Sequence, residues 1–197
     1  MNFVKSDIDE NFVLDSYYPN YKKFLYYLEN CQGKDYSWET TAFEAEQLPV
    51  WQTKELGRLP HKTFADDFRD AGFVSLLNDV CKLTEDELKS NGLDIKIKPQ
   101  TSWFVNYKKG GWQSVHGHGV DTINQCLYFD DNPSMREGKD RKEQVYGSFY
   151  CLVGKEMRTI PPMPGRLITM KGSTLHGVYP VLYTPRRCLV IDYKVLN

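Results

Sequence analysis

The sequence predicts a mainly β domain, a two-sheet antiparallel barrel or jelly roll, with N-terminal helices packed outside it. Two observations carry that prediction. From Leu93 onward, short strand-like segments recur about every ten residues with turn residues between them, the pattern of an all-β sandwich or barrel. Before Leu93, apolar residues recur at three and four, the helical period. The chain has 197 residues, enough for one domain with a sizeable core. Residues 1–92 therefore read as a helical and irregular support region, and 93–197 as the jelly-roll core of a single domain.

Met1 to Lys5 reads as a short strand and Ser6-Asp7 as a turn. From Pro19, the positions Tyr21, Phe24, Leu25 and Leu28 form an amphipathic helix ending near Gly33. Residues 34–63, interrupted by Pro49 and Pro60, read as a loop carrying one short strand. Phe64, Phe68, Val74, Leu77 and Cys81 make a second helical stripe, and Thr84 to Glu87 has the capping-box form of a further short helix. Asn91-Gly92 closes this half. Leu93, Ile95 and Ile97 then alternate with polar residues as a strand. Further strands are predicted at 101–107, 112–118, 122–129, 146–153, 156–160, 166–170, 175–179 and 187–195. Asp130 to Gln144, with seven charges between Arg136 and Glu143, reads as an exposed hairpin loop able to cover a nearby site.

Charge is nearly balanced, 25 basic against 26 acidic residues, which gives no support to a polyanionic partner such as nucleic acid. No apolar run approaches the roughly 20 residues of a membrane helix. The N-terminus lacks a charged-then-apolar leader, so the expected location is cytoplasmic. Five scattered cysteines (Cys31, Cys81, Cys126, Cys151, Cys188) without a C-x-x-C fit reduced core thiols.

Histidine is scarce, with four in the chain, and three fall in the strand-rich half. His116 and His118 are two apart, and on a strand residues two apart share a face. Gly117 and Gly119 leave room around them. His176 is the third candidate ligand, from a distant strand. Three protein ligands with positions left open is the arrangement of a catalytic metal. Imidazole suits iron(II), zinc, nickel or copper, so the ligands alone do not choose the ion. His61, following Pro60 without a partner, reads as structural.

Arg186-Arg187 opens the apolar strand Cys188 to Ile191. A guanidinium in a barrel mouth is costly unless it meets an anion, and a carboxylate is its natural bidentate partner. A metal and a buried arginine together imply a small anionic co-substrate spanning both. Trp103, Tyr107 and Trp112 are placed either to line that pocket or to fill the core.

These residues resemble the iron(II)- and 2-oxoglutarate-dependent dioxygenases, in particular their prolyl-hydroxylase-like branch. Asn106-Tyr107, Gly110-Gly111 and His116 match in order and spacing the N-Y-x-x-G-G-x-x-x-x-H-x-D segment of prolyl 4-hydroxylases. Cys126 to Asp130 resembles the strand that follows, with Tyr128 in the place of a 2-oxoglutarate-contacting tyrosine. Pro164 to Ile168 resembles the element before the distal ligand, and His176 to Pro180 matches the H-x-V-x-P that carries it. Trp103 to Asn106, His116 to His118 and Arg187 to Tyr193 are similar also to small bacterial and phage oxygenases of this class.

The resemblance implies a double-stranded β-helix. It implies Fe(II) held by His116, His118 and His176, with 2-oxoglutarate and O2 as co-substrates. The activity implied is hydroxylation of a small-molecule or peptidyl substrate, a peptidyl proline by analogy, with release of succinate and CO2. It further implies a distal carboxylate held by Tyr128 and an arginine, and a Tyr107 contact to the metal-side carboxylate. Matching to prolyl 4-hydroxylases puts the arginine at Arg186, and matching to the bacterial and phage group puts it at Arg187. Leu189 and Ile191 share the face of Arg187 and belong to a core, so Arg187 is the expected one. The departure from the family is His118, standing where H-x-D has a carboxylate. Asp121 is the substitute ligand to weigh against it, and it would need a bulge to reach. The rival readings are a three-His zinc enzyme activating water, and a jelly-roll binding module without catalysis.

Overall fold

The computed structural model describes residues 12–31, 50–52, 71–131 and 145–196. Among them run ten strands: β1 (Val13–Tyr17), β2 (Val50–Gln52), β3 (Lys96–Tyr107), β4 (Gln113–His116), β5 (Thr122–Tyr128), β6 (Phe149–Val153), β7 (Glu156–Ile160), β8 (Arg166–Lys171), β9 (His176–Val178) and β10 (Arg186–Leu196). Two helices accompany them, α1 (Lys22–Cys31) and α2 (Ala71–Ser90). The strands form a six-stranded sheet, ordered β1-β8-β5-β10-β3-β2, and a four-stranded sheet, ordered β4-β9-β6-β7, with every pairing antiparallel.

Alternation along the large sheet sorts the apolar residues into two layers. Phe104, Leu127, Leu167, Leu189, Ile191 and Tyr193 point outward and join the buried stripes of the helices. Val105, Cys126, Tyr128, Ile168, Cys188 and Val190 point inward and meet Phe149, Cys151 and Val178 of the small sheet. The interior strands β5 and β8 are consequently buried on both faces along nearly their whole length.

Helix α1 follows the expected stripe, with Phe24 and Leu28 fully buried. Phe24 meets Phe73 of α2 edge to face, 5.8 Å between ring centroids. The second expected stripe needs correction. Val74 is exposed, and the buried line of α2 runs through Phe73, Leu76, Leu77, Val80, Cys81, Thr84 and Leu88. Nor does a new helix begin at Thr84. Its hydroxyl donates to the Val80 carbonyl at 2.8 Å, inside one unbroken helix, rather than capping a first turn. The helix stops where Gly92 adopts φ +85° and Leu93 N–H bonds back to the Leu88 carbonyl at 2.9 Å, a left-handed C-terminal cap.

Two further differences concern strands. The segments expected at 93–98 and 101–107 are one strand, β3, irregular opposite the Asp192/Tyr193 step of β10, where Pro99 is accommodated. β1 is a strand that the sequence reading did not place, whereas β2 is the short strand expected within residues 34–63, and the two take the edges of the large sheet. The expected strand at residues 1–5, the positions Phe64 and Phe68, His61, and the loop from 132 to 144 lie outside the described residues. No helix among the described residues is long and apolar enough to cross a membrane.

Helix α2 is keyed to the sheet by a buried polar cluster. Gln125 Nε2 donates to Thr84 Oγ1 and Thr169 Oγ1, both at 2.7 Å, and Tyr193 Oη donates to Gln125 Oε1 at 2.7 Å. Removing the amide strands these hydroxyls where water does not reach. Gln125→Ala is expected to lower unfolding stability by about 3 kcal/mol, measured by urea denaturation. Thr169→Val, which removes one of the three bonds, is expected to cost less than half of that.

Candidate metal and co-substrate site

The pairing of β4 with β9 makes His116 and His176 direct cross-strand partners, with ring centroids 4.4 Å apart. That register is possible because Gly177 has no side chain: a Cβ there would run into the Tyr150 ring and the Gln113 carbonyl. His118 lies just past the end of β4, where its N–H bonds to the Gly172 carbonyl at 2.6 Å. Its ring is 5.5 Å from that of His116 and 5.3 Å from that of His176. One ring nitrogen from each of the three lies within 4.8 Å of the others. Trp103 stacks on His118, and Phe149 stacks on His176.

Their tautomers follow from their outer partners. His116 Nδ1 faces the Ser114 carbonyl at 2.9 Å, His176 Nδ1 faces the Thr174 carbonyl at 2.8 Å, and His118 Nδ1 faces Asp192 Oδ1 at 2.9 Å. Carbonyls and carboxylates only accept, so these partners favour a proton on each Nδ1 and leave each Nε2 lone pair to the interior; Asn124 Nδ2 also lies 3.3 Å from His118 Nδ1, farther than Asp192 Oδ1. Three imidazole nitrogens that lie this close together could hold a metal ion. Gln113 Nε2 sits 3.3 Å from His116 Nε2, on the lone pair an ion would use, while Gln113 Oε1 accepts the Tyr107 hydroxyl at 2.6 Å. Asp121 is exposed and stands outside the cluster, so the substitute ligand is not adopted.

Burial, and after it the facing His116, hold the His176 imidazole down to about 3 from its ordinary 6.5. A neutral imidazole is the form that binds a metal.

The same pocket is lined by Trp103, Tyr107, Gln113, Tyr128 and Arg186. Arg186, at the start of β10 and opposite Tyr107 on β3, is 3% exposed. Its guanidinium carbon lies 4.4 Å over the Tyr107 ring and 5.2 Å from the centre of the Tyr128 ring. Arg186 Nε donates to the Gly147 carbonyl at 2.9 Å and Nη1 reaches Cys188 Sγ at 3.9 Å, whereas Nη2 is buried with no partner. No carboxylate among the described residues pairs with this cation. Burial raises the Tyr128 hydroxyl well above its usual range, so it stays a proton donor.

Arg187 points the other way, and the expectation that it faces the pocket is overturned. Its Nε and Nη2 grip the two oxygens of Asp130 at 2.9 and 2.7 Å, and its backbone N–H adds a third bond at 2.8 Å. Leu189 and Ile191 do share its face, but the core they join is the one under the helices. Trp112 is 39% exposed and is not part of the pocket wall. Cys126 and Cys188 are inner-wall thiols, and burial above all keeps both protonated. Cys81, Cys126, Cys151 and Cys188 are free and buried, as expected of core thiols. Sequence reasoning missed Gln113, although its partners Tyr107 and His116 are near in sequence, and Asn124 and Asp192, which only the fold brings together across 68 residues.

No family model matches this chain, and no curated protein sequence does. Solved structures do. A prolyl-4-hydroxylase from Pseudomonas putida superposes with a TM-score of 0.60 at 14% identity, covering 97% of this chain and 96% of that one. A Trichoplax adhaerens prolyl hydroxylase, in complex with a peptide of the hypoxia inducible factor oxygen degradation domain, gives 0.58 at 12%, covering 98% and 88%. HygX from Streptomyces hygroscopicus, with nickel and 2-oxoglutarate bound, gives 0.59 at 10%, covering 98% and 87%. At these identities the likeness is one of fold: the two packed sheets share the jelly-roll architecture of these structures over nearly the whole chain.

The buried His176 makes a prediction for the metal-free protein. The unfolded chain takes up a proton near pH 6.5, but the folded one refuses it until about pH 3. Stability from this group is therefore full above pH 6.5 and is lost progressively as pH falls toward 3. Thermal melts from pH 7 to pH 4 should show the native chain losing roughly 3 kcal/mol more than His176→Gln over that range.

Proposed function

We propose that this chain is an Fe(II)- and 2-oxoglutarate-dependent dioxygenase that hydroxylates a small-molecule or peptidyl substrate. The observation that carries the reading is Arg186: a buried guanidinium with an unpaired Nη2 in the same pocket as three convergent imidazoles. A buried cation without a counter-charge is expensive, and a carboxylate that enters the pocket to meet it recovers that cost. A divalent ion at the imidazoles and a guanidinium deeper in the barrel fit a ligand with an anionic group at each end, which is the chemistry of a 2-oxo diacid.

In this reading His116, His118 and His176 hold Fe(II) through Nε2. Bound there, the ion supplies the means to chelate a 2-oxo acid and to activate O2. The chain's own groups do the rest. Arg186 offers Nη2 to the distal carboxylate, and Tyr128 lies beside it as a neutral hydroxyl donor. Tyr107 covers one face of the guanidinium, and its hydroxyl holds the Gln113 amide against His116. Val105, Phe149, Val178 and Val190 complete an apolar wall that limits water. The balance is one C–H bond and O2 with 2-oxoglutarate, giving one C–OH, succinate and CO2. A zinc centre activating water would leave Arg186 without a role. A peptidyl proline is the first substrate to try, because two of the similar structures are prolyl hydroxylases.

Anaerobic addition of 2-oxoglutarate to the Fe(II)-loaded protein is expected to raise the weak visible charge-transfer band of a chelated 2-oxo acid. A silent spectrum would turn the assignment toward zinc chemistry or a non-catalytic module. Succinate release and oxygen uptake, screened over proline-containing peptides and small molecules, then identify the substrate.

Arg186→Gln is expected to raise the 2-oxoglutarate requirement about 100-fold, the loss of roughly 3 kcal/mol of charge-assisted hydrogen bonding. Arg187→Gln should lower the thermal midpoint and leave that requirement unchanged. Titration of 2-oxoglutarate against succinate formation checks both variants, and the opposite pattern would return the role to Arg187.

A further inference from the structure

We infer that Asp192, clamped by Asn124 behind His118, gives the metal centre the negative charge that a carboxylate ligand would otherwise bring. It does so as a positioning residue one imidazole removed from the ion. The inference rests on the three imidazoles being metal ligands, and goes beyond that reading.

The three histidines are not equivalent on their outer side. His116 and His176 hand their Nδ1 protons to backbone carbonyls, which are neutral. Only His118 meets a carboxylate, with Nδ1 2.9 Å from Asp192 Oδ1 and 3.1 Å from Oδ2. His118 is also the ligand that stands where the resembling segment has its acid. A carboxylate accepting the outer proton makes an imidazole a stronger donor to its metal and fixes the ring's direction.

The fold holds Asp192 there deliberately. Asp192 of β10 and Asn124 of β5 are direct cross-strand partners on the inner face. Asn124 Nδ2 donates to Asp192 Oδ1 at 2.6 Å, while Asn124 Oδ1 is buried without a partner. The amide thus gives up a hydrogen bond of its own to present its N–H to the acid. The opposite orientation would set an oxygen lone pair against a carboxylate. No lysine or arginine among the described residues pairs with Asp192, and the side chains of His118 and Asp192 are only 12% and 16% exposed. A carboxylate so placed needs a cation. An ion on the far side of the His118 ring provides one, and three neutral imidazoles leave that ion's charge uncompensated unless Asp192 offsets half of it.

The test reads metal affinity alone, by competition of Co(II) with a chromophoric chelator, without 2-oxoglutarate or oxygen. Asp192→Asn keeps the shape and an acceptor oxygen. It is expected to raise the Co(II) dissociation constant about 10- to 100-fold while the melting point of the metal-free chain stays in place. His118→Asp is expected to bind poorly in the native background, where two carboxylates crowd one side of the ion, and to regain affinity in the Asp192→Asn background. An unchanged dissociation constant in Asp192→Asn overturns the inference, as does a His118→Asp change that is the same in both backgrounds. If Asp192→Asn alone fails to fold, the comparison of His118→Asp with the double variant decides: tighter binding by the double variant supports the role, and equal or weaker binding removes it. The two proposals also fail separately. A chain with Asp192-dependent Co(II) affinity but no 2-oxoglutarate turnover loses only the oxygenase reading. One that turns over with Asp192-independent affinity loses only this inference.

Discussion

The constraint on which the site depends is the side-chain alternation of one strand. β10 lies between β5 and β3 in the large sheet, and its registers with both are long and, apart from one irregularity, regular. Because successive residues point to opposite faces, Arg186, Cys188, Val190 and Asp192 enter the barrel together, and Arg187, Leu189, Ile191 and Tyr193 leave it together. A slip of one residue would exchange the sets. It would take Arg187 away from Asp130, drive the inner acid into the apolar layer under the helices, and pull Leu189 and Ile191 out of that layer. The apolar packing under α2 therefore enforces the polar arrangement inside. Stability on one face of the sheet specifies chemistry on the other.

The imidazoles depend on the same economy. His116 and His176 come from two strands of the small sheet that meet in register, and backbone carbonyls two residues earlier in each chain segment fix both rings. The pattern is local and nearly symmetric: residue i−2 turns its carbonyl toward the ring of residue i. His118, beyond the strand end, has no such carbonyl and takes its outer partner from the large sheet. That one histidine consequently couples the two sheets through a polar contact, where the others are held by their own.

This difference explains what was legible in the sequence. H-x-H and the distant His176 were readable because residue type and a period of two carry the information, and most strands from Leu93 were readable for the same reason. The arginine was not. Period two states which residues share a face, but the large sheet has two buried faces, and apolar neighbours mark both equally. Leu189 and Ile191 signalled a core correctly without saying which core. Asp192 left no local trace, since it meets His118 across 74 residues of chain. Its one visible oddity is an acid closing the inward-facing set of an otherwise apolar strand. Thr84 misled for a physical reason as well: a threonine three residues ahead of a glutamate has the form of a cap, but the hydroxyl found the Val80 carbonyl and the helix ran on.

Charge inside the barrel ties the two proposals into one balance. The pocket holds one permanent cation, Arg186, and one acid on its far side, Asp192. They start and end the same inward-facing row, six residues apart along an extended strand, so about 20 Å separates their Cα atoms. At that distance they do not neutralise each other locally. A divalent ion bound at the imidazoles, as proposed, would be half offset by Asp192 and would keep a net positive charge, and Arg186 keeps its own. What remains is a cavity with positive charge at two separated points, and a monoanion could satisfy only one of them. A dianion with its charges at opposite ends satisfies both. Were Asp192 absent, the metal end would carry twice the excess and would favour any small anion at the ion over a ligand that also reaches Arg186. In the proposed balance, the acid behind His118 would bear on which anion is accepted, and not only on how tightly the metal is held.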